Sequence, residues 1–254
     1  MRIATCALAL IFPLAAFAEL SDDSMLGIGL RSRPAQDGSA SQRTEVVPVV
    51  RYLGQPWFVR STQGLLEGGV RVELAPGLHG GAQLAYEPGR ASSESEFLSS
   101  HNVPVIKRGA SIGLQLEWDH RFGPIPITLL GRVRQHTDSD LGAQADLRLS
   151  AGIFQGGSVG VGLFTQATWA NAKSAGAYYG IKAQQSAIEG LPAFHAGSGA
   201  LFASFGVLWS VDLSRDWIMV GNLEARRLRG DAAQSPLAER VSNHYLSAGI
   251  AYRY

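Results

Sequence analysis

The sequence predicts an all-β protein, a transmembrane antiparallel up-and-down β-barrel with twelve strands. Three observations lead to this prediction. Apolar and polar residues alternate with period two over segments of about 10 to 14 residues. Very short and longer connections follow one another along most of the chain, and the N-terminal stretch has the composition of a secretory signal. Together they indicate a chain that is exported and then crosses a membrane with strands.

The alternation is clearest in the segment 110–122. Ile112 and Leu114 lie on one face of the predicted strand there, whereas Gln115 lies on the other. The segment 141–154 repeats the pattern. A soluble β-sandwich produces the same alternation, but strands of globular proteins average about five or six residues, whereas a tilted transmembrane strand needs about 9 to 11. The length of these segments therefore favours a membrane barrel whose apolar face meets lipid.

The same pattern, with the turn residues between its segments, defines the predicted strands. They span residues 24 to 32, 44 to 53, 56 to 61, 66 to 75, 78 to 88, 110 to 122, 125 to 136, 141 to 154, 158 to 170, 199 to 213, 216 to 228 and 241 to 254. Ten strands remain the alternative. Segment 56 to 61 is weakly patterned and could be a loop, and segment 177 to 182 could be a further short strand.

The connections between these strands fall into two classes. Every second one is very short and consists of turn residues: Gly54-Gln55, Pro76-Gly77, Gly123-Pro124, Gly156-Gly157 and Ser214-Arg215. The others are mostly longer, namely 33 to 43, 89 to 109, 171 to 198 and 229 to 240, with 62 to 65 and 137 to 140 as brief exceptions. Bacterial outer-membrane barrels have short periplasmic turns and longer outer loops. The alternation therefore predicts that both chain ends lie on the periplasmic side.

The two ends of the chain and its charge limit the possible classes further. Residues 1–18 form a short charged region, an apolar core and a small-x-small cleavage site, so we expect a signal peptide there and a single barrel domain over 19–254. The one cysteine, Cys6, lies within the predicted signal. The 22 basic and 21 acidic residues are nearly balanced, which argues against nucleic acid as a partner.

Charged residues recur on the faces that the alternation assigns to the lumen. The candidates are Arg71, Glu73, Glu117, Asp119, Arg121, Arg132, Arg134, Asp146, Arg148, Glu224 and Arg226. Charges of both signs on neighbouring strands are expected to pair, because pairing makes their burial tolerable. This mixture is typical of a salt-bridged, largely closed interior. A narrow pore whose selectivity these side chains tune is the alternative.

The histidines do not form a recognisable catalytic pattern. Asp119 and His120 are adjacent, so a strand sends their side chains to opposite faces. His79 and His244 are placed on lumen faces, but no Gly-x-Ser-x-Gly elbow or other nucleophile signature accompanies them. The QHTDSD segment lacks the ligand spacing of a calcium loop and is interpreted as a polar turn. We therefore predict no catalytic residues, no metal and no cofactor.

Several stretches resemble the MipA/OmpV family of outer-membrane proteins. They are VVPVVRYLGQPWFVRS, AYYGI followed by QQSAIEGLPAFHAGSG, RRLRGDAAQSPLAER and the closing GIAYRY, and the likeness covers nearly the whole chain after the predicted signal. The resemblance implies a barrel in the bacterial outer membrane. It also implies, for some members, a scaffold that links a murein-cleaving lytic transglycosylase to a murein-synthesising penicillin-binding protein.

These considerations give an ordered set of functional hypotheses. The first is a non-enzymatic scaffold of the outer membrane with murein enzymes as partners. The second is a narrow pore for small solutes or ions, and the third is an outer-membrane hydrolase. Pull-down of murein enzymes, conductance in planar bilayers and turnover of lipid or peptide distinguish the three.

The closing strand carries a further expectation. Ile250, Tyr252 and Tyr254 lie on one apolar face, and the resemblance implies that such a strand with a terminal aromatic residue is recognised by the barrel-assembly machinery. That machinery and outer-membrane lipid are the other partners we expect.

Overall fold

A computed structural model describes residues 24–254 of the chain. The predicted signal peptide, residues 1–18, lies outside the described residues. Within them, the alternating segments form strands that each pair with two antiparallel neighbours. The strands are β1 (Met25–Pro34), β2 (Gln42–Leu53), β3 (Trp57–Thr62), β4 (Leu65–Ala75), β5 (Leu78–Glu87), β6 (Gly109–Phe122), β7 (Ile125–His136), β8 (Ala143–Gly156), β9 (Val159–Ala170), β10 (Gly199–Asp212), β11 (Trp217–Leu228) and β12 (Ser242–Arg253).

The twelve strands close into a single barrel in which each strand pairs with its sequence neighbours and β1 pairs with β12. The closing register runs from Met25 opposite Arg253 to Ser32 opposite Leu246. The prediction of twelve antiparallel strands is confirmed, and the ten-stranded alternative is wrong. The short strand β3 belongs to the barrel because it pairs with both β2 and β4.

The outward-facing side chains form an apolar band. Leu114 on β6 and Val133 on β7 keep 68% and 59% of their surface exposed, and Leu30 on β1 keeps 58%. In water, so much contiguous apolar surface would be unfavourable by about 25 cal/mol per Å². In a bilayer the same surface meets hydrocarbon, so this band is the lipid-facing surface of the barrel.

The depth of this band in the bilayer gives a first prediction. We expect Leu114→Arg, near the middle of β6, to lower the free energy of unfolding by about 2–4 kcal/mol, since a guanidinium there must enter hydrocarbon. Leu74→Arg is the matched control, because Leu74 also faces outward but lies one residue before the end of β4. It is expected to cost about 0–1 kcal/mol. Urea unfolding of both variants in lipid vesicles measures the difference, and equal losses would contradict the assignment of the band.

The two ends of the barrel differ, as the connections predicted. Short turns lie at one end, which we call the turn end, at 54–56, 76–77, 123–124, 157–158 and 213–216. The other end, the loop end, carries longer connections with α1 (Glu96–Ser100), α2 (Ala172–Tyr179), α3 (Ala183–Glu189), α4 (Gly230–Gln234) and 3-10 turns at Ser92–Glu94 and Ser139–Leu141. None of the helices among residues 24–254 has the length and apolar character that a membrane crossing requires.

The loop end is covered by a small apolar core that we call the loop cap. Tyr179 of α2 and Ala232 of α4 pack on Phe202 and Leu228 at the ends of β10 and β11. Arg90, between β5 and β6, ties the loops together with hydrogen bonds of 2.9 to 3.1 Å. Its acceptors are Gln36 Oε1 and the carbonyl oxygens of Pro104 and Tyr178. The loops are thus folded over the barrel mouth.

One local departure from strict alternation occurs on β10. The pattern assigns Leu201 to the same outward face as Ala203 and Phe205, yet Leu201 is buried with Phe202 in the loop cap. A register shift between Ala200 and Phe202 is responsible, because a bulge lets two successive residues point to one side.

Candidate functional site

The inward faces of β3 to β8 carry a connected polar layer across the barrel, which we call the septum. Its members are all less than a tenth exposed: Arg60, Glu67, Gln83, Gln115, Glu117, Arg132 and Asp146. Strand register positions several of them, since Arg60 lies opposite Glu67 on β3 and β4, and Arg132 lies opposite Asp146 on β7 and β8. The period-two alternation sends all these side chains inward.

Glu67 is the centre of the septum. It accepts from Arg60 Nε at 2.6 Å and from Arg132 Nη1 at 3.0 Å, and Gln83 Nε2 donates to it at 3.1 Å. Arg132 Nε also donates to Asp146 at 2.8 Å. The Glu67–Arg132 ion pair joins β4 and β7, which are not neighbours in the sheet.

The septum continues from Arg60 toward the turn end. Arg60 Nη2 donates to Gln115 Oε1 at 2.7 Å, and its Nη1 is hydrogen-bonded to Glu117. Arg71 Nη2 reaches the other oxygen of Glu117 at 3.1 Å. Every carboxylate of the septum therefore touches two guanidinium groups. Burial of charges costs several kcal/mol per ion unless they are paired in this way.

A second network fixes the loop between β1 and β2 inside the barrel. Asp37 accepts from Arg226 Nη1 at 2.9 Å and from the hydroxyl of Tyr245. The Arg226 guanidinium lies 4.0 Å from the ring centre of Phe202 and 4.3 Å from that of Tyr245, and it also donates to Glu224. The aromatic rings and carboxylates hold this arginine from several sides.

The septum lies between two cavities. The turn-side chamber has a volume of about 620 Å³ and the loop-side chamber of about 220 Å³. Thr62 is the residue that both linings share. On the opposite wall Met25, Ile218, Val220 and Ala251 form an apolar cluster near the turn end. The septum thus separates the two chambers along the wall of β3 to β8, while a third cavity on the side of β1 and β2 shares Arg51 with the turn-side lining and Gln63 with the loop-side lining.

The eleven predicted lumen residues all lie at inward-facing positions, but they differ in how far they are buried. Arg71, Glu117, Arg132, Arg134, Asp146, Arg148 and Glu224 are buried. Asp119 and Arg226 are half-buried, and Glu73 and Arg121 are exposed. The last two lie within two residues of a strand end, where the barrel opens at the turn end. What these side chains do for function stays a prediction.

The sequence reasoning missed three charged residues of the septum and of the network around Asp37. Glu67 shares its strand face with Arg71 and lies within the predicted strand 66 to 75, so the alternation of that strand could have found it. Arg60 lies in the weakly patterned β3, where the period is too short to assign a face. Asp37 comes from a loop, and no local pattern indicates that the loop folds inward.

The histidines are also placed by the structure. His120 faces outward at the turn end, stacked on Trp118 at 5.0 Å between ring centres and in edge contact with Phe122 at 4.8 Å. His79 Nδ1 lies 3.8 Å from Asp119 Oδ2 in the turn-side chamber. His136 Nδ1 accepts the amide of Asp138, whose side chain accepts the amide of Asp140, so this segment forms a polar turn.

The residues of the predicted assembly signal lie on the outer surface. Ile250, Tyr252 and Tyr254 are exposed, and the ring of Tyr252 makes an edge contact with Trp217 at the turn end. Their recognition by assembly machinery stays a prediction.

The loop cap gives a prediction for alkaline pH. Burial, with a smaller contribution from Glu87, raises the pKa of Tyr178 from 10.0 to about 12. Burial, with Asp37 nearby, raises the pKa of Tyr179 well above its usual value. The folded state therefore favours the neutral phenols, and the stability that Tyr178 contributes is complete below pH 10 and is lost as the pH rises through its pKa of about 12.

Absorbance titration of the tyrosines measures this effect. We expect one phenol in the folded protein that ionises only near pH 12, and its absence in Tyr178→Phe. The denatured protein is the control, since all its phenols should ionise near pH 10. Simultaneous ionisation of every tyrosine in the folded protein near pH 10 would contradict a buried loop cap.

A closed twelve-stranded antiparallel barrel with an apolar outer band and a charged interior is the architecture of an integral outer-membrane protein. The family model described as "MltA-interacting protein MipA" matches residues 26–254, so the chain belongs to the MipA family. Its place is the bacterial outer membrane. A search among curated protein sequences found no match.

Solved structures of outer-membrane proteins share the fold. An outer-membrane channel from Pseudomonas putida F1 aligns with a TM-score of 0.50 at 11% identity, over 96% of this chain and 100% of that chain. LpxR from Salmonella typhimurium has a TM-score of 0.49 at 7% identity, covering 91% and 100% of the two chains. A bacterial polysaccharide outer-membrane secretin has a TM-score of 0.45 at 11% identity, covering 92% and 99%. At these identities the likeness concerns the fold alone.

Proposed function

We propose that this protein is a closed outer-membrane barrel with a structural role, which anchors a murein-cleaving lytic transglycosylase at the inner surface of the outer membrane. The observation that carries the proposal is the septum, a buried salt-bridged layer inside the barrel. The septum, the apolar cluster on the opposite wall and the loop cap narrow the space through which a solute would pass. The proposed role requires no catalysis.

The energetics of the septum support a barrier to solutes. For a solute to pass, Arg60 or Arg132 must leave its place, and each of them is bound to two carboxylates. Breaking a buried pair by removing one partner typically costs about 3–5 kcal/mol. Because each carboxylate of the septum binds two arginines, we infer that the septum is a rigid barrier and not a constriction that opens readily.

The partner is inferred from the family and from the topology. The family description names an interaction with MltA, and the resemblance of the sequence implies a lytic transglycosylase and a penicillin-binding protein. Short turns of outer-membrane barrels face the periplasm, where murein enzymes act. A stable interface needs about 800 Å² on each partner. Because the turns are short, we infer that a partner covers the whole turn end rather than a single turn.

Binding of a purified lytic transglycosylase to the barrel in lipid nanodiscs tests this proposal. Gly123 lies in a turn, and a side chain added there would meet no other atom within 4 Å. Insertion of a short epitope at Gly123 should therefore abolish binding without disturbing the fold. The same insertion at Gly190, an equally open glycine at the loop end, is the matched control and should leave binding unchanged. Absence of binding to the unmodified barrel, or equal loss with both insertions, would contradict an anchor at the turn end.

A gated pore is the second candidate, favoured by the two chambers that lie on either side of the septum along the lumen. In planar bilayers the closed barrel should produce no stepwise conductance. Regular conductance steps from the unmodified protein would favour the pore over the anchor.

A further inference from the structure

The turn-side chamber has the features of a binding site. It is bounded by the inward faces of β2 to β8 and reaches the turn end, where Gln55 and Gly77 line it. Its volume of about 620 Å³ lies in the range of about 300–1,000 Å³ that small-molecule sites occupy. The septum forms its inner end, so a ligand can enter from the turn end without crossing the barrel.

The charge of the lining favours anions. Five arginines and three carboxylates line the chamber: Arg51, Arg60, Arg71, Arg121, Arg148, Glu73, Glu117 and Asp119. With the histidines neutral, the arginines exceed the carboxylates by two. A concave site with low-dielectric walls focuses such an excess and raises the local concentration of counter-ions.

The arginines are held in place before any ligand arrives. Arg71 is fixed by its bond to Glu117 at 3.1 Å, and the Arg148 guanidinium lies flat on Phe164, 3.8 Å from the ring centre. A stacked or paired guanidinium loses little further freedom when its edge donates to a ligand. Guanidinium groups recognise carboxylate and phosphate through paired N–H donors. The geometry thus suits an oxyanion better than a neutral solute.

A metal ion is the competing occupant. Ligand atoms of His79, Glu117 and Asp119 lie within 4.8 Å of one another, and His79 Nδ1 has no hydrogen-bond partner among the described residues. However, the Glu117 carboxylate already binds Arg60 and Arg71. A cation beside it would meet two guanidinium groups at close range, which is electrostatically unfavourable.

We propose that the turn-side chamber binds a small solute that carries two or more carboxylate or phosphate groups. The chamber lies on the side that faces the periplasm, so the ligand comes from that compartment. Arg71 and Arg148 on the walls and Arg121 at the mouth supply the donors. This inference rests on the chamber of the free barrel, because a partner that covers the whole turn end would close the entrance.

Isothermal titration of the full chain in nanodiscs tests the proposal. Citrate serves as the carboxylate probe and pyrophosphate as the phosphate probe, at low ionic strength. We expect saturable binding of at least one probe, weakened at high salt because screening reduces charge attraction. The difference between the two probes tells which oxyanion the chamber prefers.

Variants locate the binding. Arg121→Gln changes an exposed side chain at the mouth, so the fold should be preserved, and it should weaken binding at least threefold. The double variant Arg71→Gln, Arg121→Gln should weaken it at least tenfold. Arg215→Gln is the matched control, since Arg215 is an exposed arginine of the same barrel end outside the chamber lining. It should leave the affinity unchanged.

Three results would overturn the proposal. The first is no saturable binding of either probe. The second is an equal loss of affinity in Arg121→Gln and Arg215→Gln, which would place binding on the rim. The third is tight binding of Zn²⁺ alone that is lost in His79→Ala while neither anionic probe binds, which would assign the chamber to a cation.

Discussion

Replacement of Glu67 by leucine is expected to lower the free energy of unfolding by about 3–5 kcal/mol, the usual loss when one member of a buried ion pair is removed. Glu67 is 1% exposed and lies between Arg60 and Arg132, so the leucine leaves two buried guanidinium groups with fewer acceptors. It also removes the acceptor of Gln83. Urea unfolding in lipid vesicles, followed by tryptophan fluorescence, measures the loss.

Glu73→Leu provides the control for this prediction. Glu73 lies on the same face of β4 but is exposed near the strand end. An exposed carboxylate contributes only about 0–1 kcal/mol, so the control should unfold almost as the unmodified protein does. Glu67→Gln should fall between the two, because the amide keeps a hydrogen-bond acceptor but loses the charge. If Glu67→Leu and Glu73→Leu unfold alike, the septum does not stabilise the barrel.

Removal of the centre of the septum is expected to turn a closed barrel into a conducting one. The triple variant Arg60→Ser, Glu67→Ser, Arg132→Ser shortens the three central side chains and joins the two chambers. The remaining carboxylates keep partners, since Glu117 retains Arg71 at 3.1 Å and Asp146 retains Arg134 at 3.4 Å. We expect stepwise conductance in planar bilayers from the variant and none from the unmodified protein.

A variant with the same change of charge controls for surface effects. Arg215→Ser, Asp216→Ser, Arg227→Ser removes two positive charges and one negative charge from exposed positions. This control variant should produce no stepwise conductance in planar bilayers. Heat-modifiable migration in gels verifies that each variant folds as a barrel. A folded septum variant that does not conduct would show that the septum is not the barrier, and that the loop cap closes the lumen instead.

Most of the fold followed from local pattern. All twelve predicted strands begin within two residues of the observed ones, including the weakly patterned β3, which was placed one residue early. Successive side chains of a strand point to opposite faces, so in a barrel surrounded by lipid every second residue of a strand is apolar. Turn residues such as Pro76 and Gly77 indicate the turn end of the barrel, because their backbone preferences favour tight turns whatever the rest of the chain does. The bulge at Leu201 was not predicted, because an inserted residue shifts the period of the strand and no particular residue type marks the insertion.

The interior was harder to predict. The alternation indicated that Arg132 and Asp146 face the lumen, and their adjacency on β7 and β8 made a pair foreseeable. The bond between Glu67 and Arg132 was not foreseeable, since 65 residues separate them and their strands are not neighbours. Asp37 belongs to a loop whose inward path depends on Arg226 and Tyr245 of distant strands.

The sequence by itself determined the class of fold, the two faces of most strands and the difference between the turn end and the loop end, and it favoured twelve strands over ten. These properties depend on residues near one another in the chain. Only the tertiary structure decided which charges pair, where the septum lies and that a positively charged chamber lies at the turn end. Barrel closure sets those features, because it brings side chains of non-adjacent strands together across a narrow space where each buried charge must find a partner.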